Sequence, residues 1–251
     1  MRYHFVKIFS VVCFGFALLT GLTDPAMAQF EGKDKEAIEE IVRQYILKNP
    51  EIIVEAMENL QDREKVAKES SQRHTLQVSR AQIYDNPLSP EHGNPKGDAV
   101  VVEFFDYQCG YCRRVFPTFM NVLESDKNIR VIWKELPILG PVSRFASRAA
   151  MASDRQGKYF EYHVALMNLR GRLTEKKVLE TATAVGLDMT RLVKDMAAPE
   201  INRYLDETLQ LAEALGINGT PAFLIGDQLV PGAIDEAQMR AIIASTRKPK
   251  S

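Results

Sequence analysis

The sequence has 251 residues, 45% apolar and 26% charged, with a formal net charge of −1; that suits one globular domain plus an appendage. So even a balance, with no basic tract long enough to follow a phosphate backbone, points away from nucleic acid. Three cysteines are too few for the several spaced pairs of a small disulfide scaffold.

The chain opens on what reads as an export signal. MRYHFVKIF is basic, SVVCFGFALLTGL is apolar, and Ala26-Met27-Ala28 offers a small-residue cleavage site. Residues 1–28 are therefore expected to be a secretory signal peptide that delivers the mature chain to the periplasm. The apolar run is shorter than the ~20 residues of a membrane-spanning helix. Ser10-Val11-Val12 ahead of Cys13 does not resemble a lipoprotein box.

Residues 29–85 read as a helical segment. Ile38, Ile41, Val42, Tyr45 and Ile46 recur at helical spacing, Asn49-Pro50 interrupts and restarts the helix, and Ile52, Ile53, Ala56, Met57 and Leu60 continue the stripe. One narrow stripe cannot form a core alone. It must pack on the main domain or on copies of itself, and self-association is the expectation. Residues 86–98, with Pro87, Pro90, Gly93, Pro95 and Gly97, read as a linker.

Residues 99–246 alternate in type. Residues 99–105 (AVVVEFF) form an apolar run containing one acid, Glu103; residues 112–124 have helical spacing; residues 129–134 (IRVIWK) form a second apolar run. Strand–helix–strand order implies parallel pairing. A block of helices fills about 143–215, with Gly186 and Gly216 placed to end two of them. Residues 222–225 and 228–230 flank Gly226-Asp227 as a hairpin, and Asp235 is a candidate N-cap for a last helix before the tail at 247–251. The expected fold class is an α/β sheet layered with helices and interrupted by a helical insertion.

Within this frame the stretch FFDYQCGYCRRVF places Cys109 and Cys112 where the first strand passes into its helix. Residues three apart in a helical turn have Cα atoms about 5 Å apart, inside the disulfide window of about 4.4–6.8 Å. As a staple so short a loop contributes little; as a redox pair it can open and close with little backbone movement. The helix N-terminus favours a thiolate at Cys109, with Arg113 and Arg114 adding positive charge. Cys109 is then the attacking sulfur and Cys112 the resolving one. Two metal readings compete. Zinc needs four ligands, and no second CxxC or spaced histidine cluster supplies them; Cu(I) on two thiolates is chemically better.

Glu103, in a strand expected to be buried, is a candidate proton relay to Cys112, and Lys134 in the neighbouring strand is a candidate partner for it. Met151, Met167, Met189 and Met196 read as core filler, Trp133 as packing, and His163 as a surface or satisfied histidine. Pro221 opens the third strand, where either isomer is tolerated.

Together the signal sequence, VVEFFDYQCGYC, the helical insert and GTPAFLIGD resemble the DsbA family of thioredoxin-fold thiol-disulfide oxidoreductases. Residues 38–61 resemble the N-terminal segment of its ScsC-like branch. The resemblance implies a thioredoxin-like fold, a cis Pro221 against the active-site pair, and a tuning role for Thr220. It implies client contacts by Thr220, Pro221, Gly110 and Tyr111, a buried acid at Glu103 and a partner lysine at Lys134. No organic cofactor is expected, since the electrons reside in the Cys109–Cys112 pair. Exported cysteine-containing proteins are the implied clients, and the implied resetting partner is a membrane reductase resembling ScsB or a quinone-linked oxidase. The N-terminal segment makes some ScsC proteins trimeric isomerases, so a disulfide isomerase or reductase is the first expectation and a DsbA-like oxidase the second. Gly-Tyr between the cysteines departs from the Pro-His of the best-known DsbA enzymes. The rival of another class is a periplasmic copper-binding protein or chaperone.

Overall fold

The computed structural model describes residues 32–247, and the expected signal peptide, its cleavage point and Cys13 lie outside the described residues. Two compact units divide between Asp62 and Arg63. The first contains α1 (Gly32–Lys48) and the opening turns of α2 (Glu51–Val78). The break falls at Asn49-Pro50, as the pattern suggests. Pro50 has no N–H to continue α1, and the Asn49 side-chain amide donates back to the Tyr45 carbonyl at 2.8 Å. Ile41, Tyr45, Met57 and Leu60 stay exposed in the single chain.

The second unit is built on a five-stranded sheet of order β1-β3-β2-β4-β5. Its strands are β1 (Glu91–Gly93), β2 (Ala99–Phe105), β3 (Ile129–Glu135), β4 (Ala222–Ile225) and β5 (Gln228–Pro231). The crossover helix α4 (Gly110–Ser125) joins β2 to β3, and these two strands pair in parallel, as their order in the sequence requires. The turn Gly226-Asp227 closes the β4–β5 hairpin, with Gly226 at φ +59°. Between β3 and β4 lie α5 (Pro141–Asp154), α6 (Tyr159–Met167), α7 (Glu175–Ala184), α8 (Met189–Met196) and α9 (Pro199–Ala214). The last helix, α10 (Glu236–Thr246), starts in a full capping box between Asp235 and Gln238.

Both faces of the sheet are covered, so its central strands are apolar almost throughout. On one face Val101, Phe105, Val131 and Trp133 pack under α4 and the helical insert. On the other, Val102, Phe104, Ile132 and Leu224 pack under Leu76, Ile83, Leu211 and Leu215.

This second core corrects two expected boundaries. The end of α2 and all of α3 (Arg80–Tyr84) belong to the sheet domain, because Leu76 and Ile83 are buried in it. The stretch 86–98 is not a bare linker, because β1 lies within it and pairs antiparallel with β3. Proline and glycine mark turns well but do not exclude a three-residue edge strand. Met151, Met167 and Met196 are buried and Met189 partly so, all in the insert's core.

Candidate active site

The polypeptide leaves β2 at Phe105 and turns through Asp106, Tyr107 and Gln108 into α4. The buried Asp106 carboxylate fixes this turn. It accepts from the Gln108 N–H at 2.7 Å, the Leu139 N–H at 2.9 Å and the Ser143 hydroxyl at 2.6 Å. The Tyr107 carbonyl accepts from Arg113 Nε at 2.8 Å, and the same guanidinium reaches the carbonyls of Leu169 and Gly171, both at 3.1 Å. The strand-to-helix turn is therefore tied to the β3–α5 loop on one side and to the insert on the other. Arg114 instead lies over the exposed Tyr111 ring, 5.1 Å from its centroid.

Cys109 is the N-cap of α4. Its sulfur accepts from the Cys112 N–H at 3.3 Å and lies 3.1 Å from the Thr220 carbonyl, to which it donates only while protonated. The Thr220–Pro221 peptide bond is cis. Residues 111 positions apart thus meet at one sulfur. The pair is an unbonded dithiol, both members buried.

The two thiols are driven in opposite directions. A hydrogen bond from the Cys112 thiol, aided by the Thr220 side chain and the N–H groups of Cys112 and Tyr111, outweighs burial and brings Cys109 down to about 6. Burial raises Cys112 far above the ordinary thiol range, and its donation to Cys109 and the nearby Glu103 carboxyl add to that. One sulfur is a thiolate at neutral pH; its neighbour keeps its proton.

Glu103 lies fully buried on the α4 face of β2, opposite Trp133 in register. Burial pushes its pKa up to about 8. The Trp133 indole N–H is the polar group facing it, yet neither that N–H nor either carboxyl oxygen has a hydrogen-bond partner of good geometry. Lys134 does not pair with it. It is aligned with Phe104 and so points to the other face of the sheet, where Nζ donates to the Gln82 carbonyl at 2.7 Å and to Ser89 Oγ at 2.6 Å. The expected Glu103–Lys134 pair does not form, and Lys134 is turned away from the dithiol's face of the sheet: neighbouring strands are not enough, since side-chain parity decides the face.

A second buried carboxyl, missed in the sequence, lies at the end of β3. Glu135 accepts from the hydroxyls of Tyr107 at 3.0 Å, Tyr159 at 2.8 Å and Ser147 at 2.7 Å. Burial raises it to about 8 against these three donors. His163 is neither at the surface nor fully satisfied. It is buried, its Nδ1 lies 3.0 Å from the Tyr107 hydroxyl, its Nε2 has no partner, and burial lowers it to about 3. The available signal was the acid closing a buried run, IRVIWKE, of the same kind as Glu103.

A family model for the DSBA-like thioredoxin domain matches residues 100–244, and one for the copper resistance protein ScsC N-terminal domain matches residues 34–67. A solved thioredoxin-like oxidoreductase from Silicibacter pomeroyi is 44% identical with a TM-score of 0.66, covering 68% of this chain and 98% of that one. ScsC of Proteus mirabilis, in a transitional conformation, is 27% identical with a TM-score of 0.64 over 86% of this chain and 98% of that one. The thiol:disulfide interchange protein DsbA of Bordetella pertussis is 28% identical over 63% of this chain and 78% of its own length. An Na(+)/H(+) antiporter of Salinispora arenicola is 27% identical over 63% of this chain, which spans only 25% of that protein.

Proposed function

Since the chain belongs to the DSBA-like thioredoxin domain family and carries an ScsC-type N-terminal segment, we propose that it is a periplasmic thiol-disulfide oxidoreductase acting on exported proteins, foremost as an isomerase or reductase. The observation that carries this reading is the opposed state of Cys109 and Cys112 at the start of α4.

In the reductive direction the Cys109 thiolate attacks one sulfur of a client disulfide. A Cys109–client bond forms and the other client sulfur leaves as a thiolate that takes up a proton. Cys112 then gives up its proton and attacks Cys109 Sγ, releasing the second client thiolate and leaving the protein oxidised and the client reduced. Glu103, buried near Cys112 and without a competing partner, is the group suited to accept that proton and to return it in the reverse direction. In isomerisation the released client thiolate attacks a second client disulfide before Cys112 reacts, and a client thiolate then attacks the client sulfur bonded to Cys109, expelling Cys109 as thiolate with no net oxidation. Thr220 and Pro221 border the attacking sulfur and, with Gly110 and Tyr111, offer the client its contacts. Tyr111 is 61% exposed.

The exposed stripe of Ile41, Tyr45, Met57 and Leu60 supports self-association, which would hold several dithiols around one misfolded client. A membrane reductase resembling ScsB would return the pair to the dithiol. A second reading, a DsbA-like oxidase reset by a quinone-linked partner, is favoured by the low Cys109 pKa: stabilising a thiolate stabilises the reduced form and makes the disulfide more oxidising. The full chain is to be assayed on scrambled and on reduced ribonuclease. Recovery of the scrambled enzyme supports isomerase; activity confined to the reduced enzyme assigns the oxidase instead. Copper binding that survives Cys109→Ser and Cys112→Ser, with no exchange by the wild type, would give the role to a copper-binding protein.

A further inference from the structure

Residues 68, 72 and 76 of α2 are spaced four apart and share one helix face. Leu76 is buried in the second core, and one turn back Gln72 Nε2 donates to the Leu215 carbonyl at 3.2 Å. Lys68, another turn back, is exposed and stands at the rim of a cavity of about 440 Å³. The opposite wall is Gly219, Thr220 and Pro221, with Leu229 and Pro231 of the β4–β5 hairpin beside them. Among the described residues, Lys68 is the only charged side chain lining this cavity.

Two features connect the cavity to the reacting sulfur. Thr220, one of its lining residues, places its carbonyl 3.1 Å from Cys109 Sγ. The backbone N–H groups of Gly219 and Thr220 donate to no acceptor among the described residues, so an extended segment has free backbone donors to run along. A cavity of about 440 Å³ is roughly 8 Å across, a span that two to three extended residues cover at about 3.3 Å each. A volume of this size takes a few side chains.

Resting on the oxidoreductase reading above, we propose that Lys68 makes the client groove selective, favouring extended client segments that carry Asp or Glu two or three residues from the reactive cysteine. The rest of the lining is neutral, so the preference comes from one partly solvated ion pair and weakens with salt.

The test uses two disulfide-bonded peptides that differ only in Asp against Asn at those flanking positions, reduced by the full-length dithiol protein. The Asp peptide should be turned over with kcat/KM about threefold higher by the wild type at low salt. That ratio should fall towards one in Lys68→Met and invert in Lys68→Glu. Equal turnover of both peptides by the wild type, or an unchanged ratio in Lys68→Glu, overturns the proposal. Hydroxyethyl disulfide, which has no flanking residues, separates the two failures. If the wild type reduces it but does not distinguish the peptides, only the selectivity is wrong. If it reduces none of the three, the oxidoreductase reading falls and the selectivity falls with it.

Discussion

Glu103 and Lys134 occupy adjacent, parallel-paired strands and point to opposite faces of the sheet, Glu103 level with Trp133 and Lys134 level with Phe104. The two buried ionisable groups therefore belong to different cores and should respond to different perturbations.

Glu103 without its carboxyl should change chemistry and pH dependence together. Its folded pKa of about 8 exceeds the ordinary 4.5, so the folded state binds the extra proton. The associated stability is complete below pH 4.5 and is lost as pH rises through 8. Glu103→Gln should flatten that slope and, at pH 7, be more stable than the wild type by as much as about 3 kcal/mol, at 1.4 kcal/mol per pKa unit. Urea denaturation at pH 5 and pH 8 measures it, and the pH profile of Cys112 alkylation should shift in the same variant. Lys134→Met should lower stability, leaving the Gln82 carbonyl without its donor and Ser89 Oγ with the Tyr204 hydroxyl alone, while keeping the wild-type alkylation profile.

Cys109 should react with iodoacetamide along a titration centred near pH 6, with Cys112 inert through neutral pH. Its folded pKa lies below the ordinary 9.0, so the stability that the reduced protein gains is present above pH 9 and is lost as pH falls through 6. Thr220→Ala removes one of the contributors and should move the Cys109 midpoint upward, read from thiolate absorbance. A midpoint that stays put would remove the Thr220 side chain from thiolate stabilisation.

Glu135 draws three hydroxyls from three segments into one buried site. Glu135→Ala leaves the Tyr159 and Ser147 hydroxyls without their acceptor and Tyr107 with His163 Nδ1 alone, and should cost on the order of 3 kcal/mol, whereas Glu135→Gln, which keeps one carbonyl acceptor, should cost less. Denaturant midpoints order the two variants. Equal losses would mean that packing, not hydrogen bonding, sets the cost.

Truncation separates the two roles of α2. A chain starting at Arg63 retains Leu76 and Ile83 in the second core and should stay folded while sedimenting as a smaller species than the chain starting at Gln29. A chain starting at Pro87 loses both side chains and should be less stable by roughly 4 kcal/mol or more. If the Arg63 chain keeps the larger oligomeric state, the exposed stripe is not the interface.

Most of the framework is legible in the sequence because it is local. The break at Asn49-Pro50, the Asp235 capping box, the Gly226-Asp227 turn and the parallel β2–α4–β3 unit each follow from residues close in the chain. The CGYC pair at a strand-to-helix junction is of the same kind. The limits of local reading show at β1, whose pairing with β3 is invisible in PLSPEHGNPKG, and in α2, where the apolar stripe up to Leu60 stays exposed while Leu76, beyond a nearly all-polar stretch, is the residue buried in the sheet domain.

What the sequence determined by itself was the dithiol, its place at the start of a helix, and the order of the elements that carry it. The tertiary structure decided that Thr220 meets Cys109, that Lys134 is turned away from Glu103, and that Glu135 gathers Tyr107, Tyr159 and Ser147. The reason is physical: periodicity and capping depend on neighbours within a few residues, whereas face and contact depend on strand register, which is settled only when segments remote in the chain bury their apolar sides against one another.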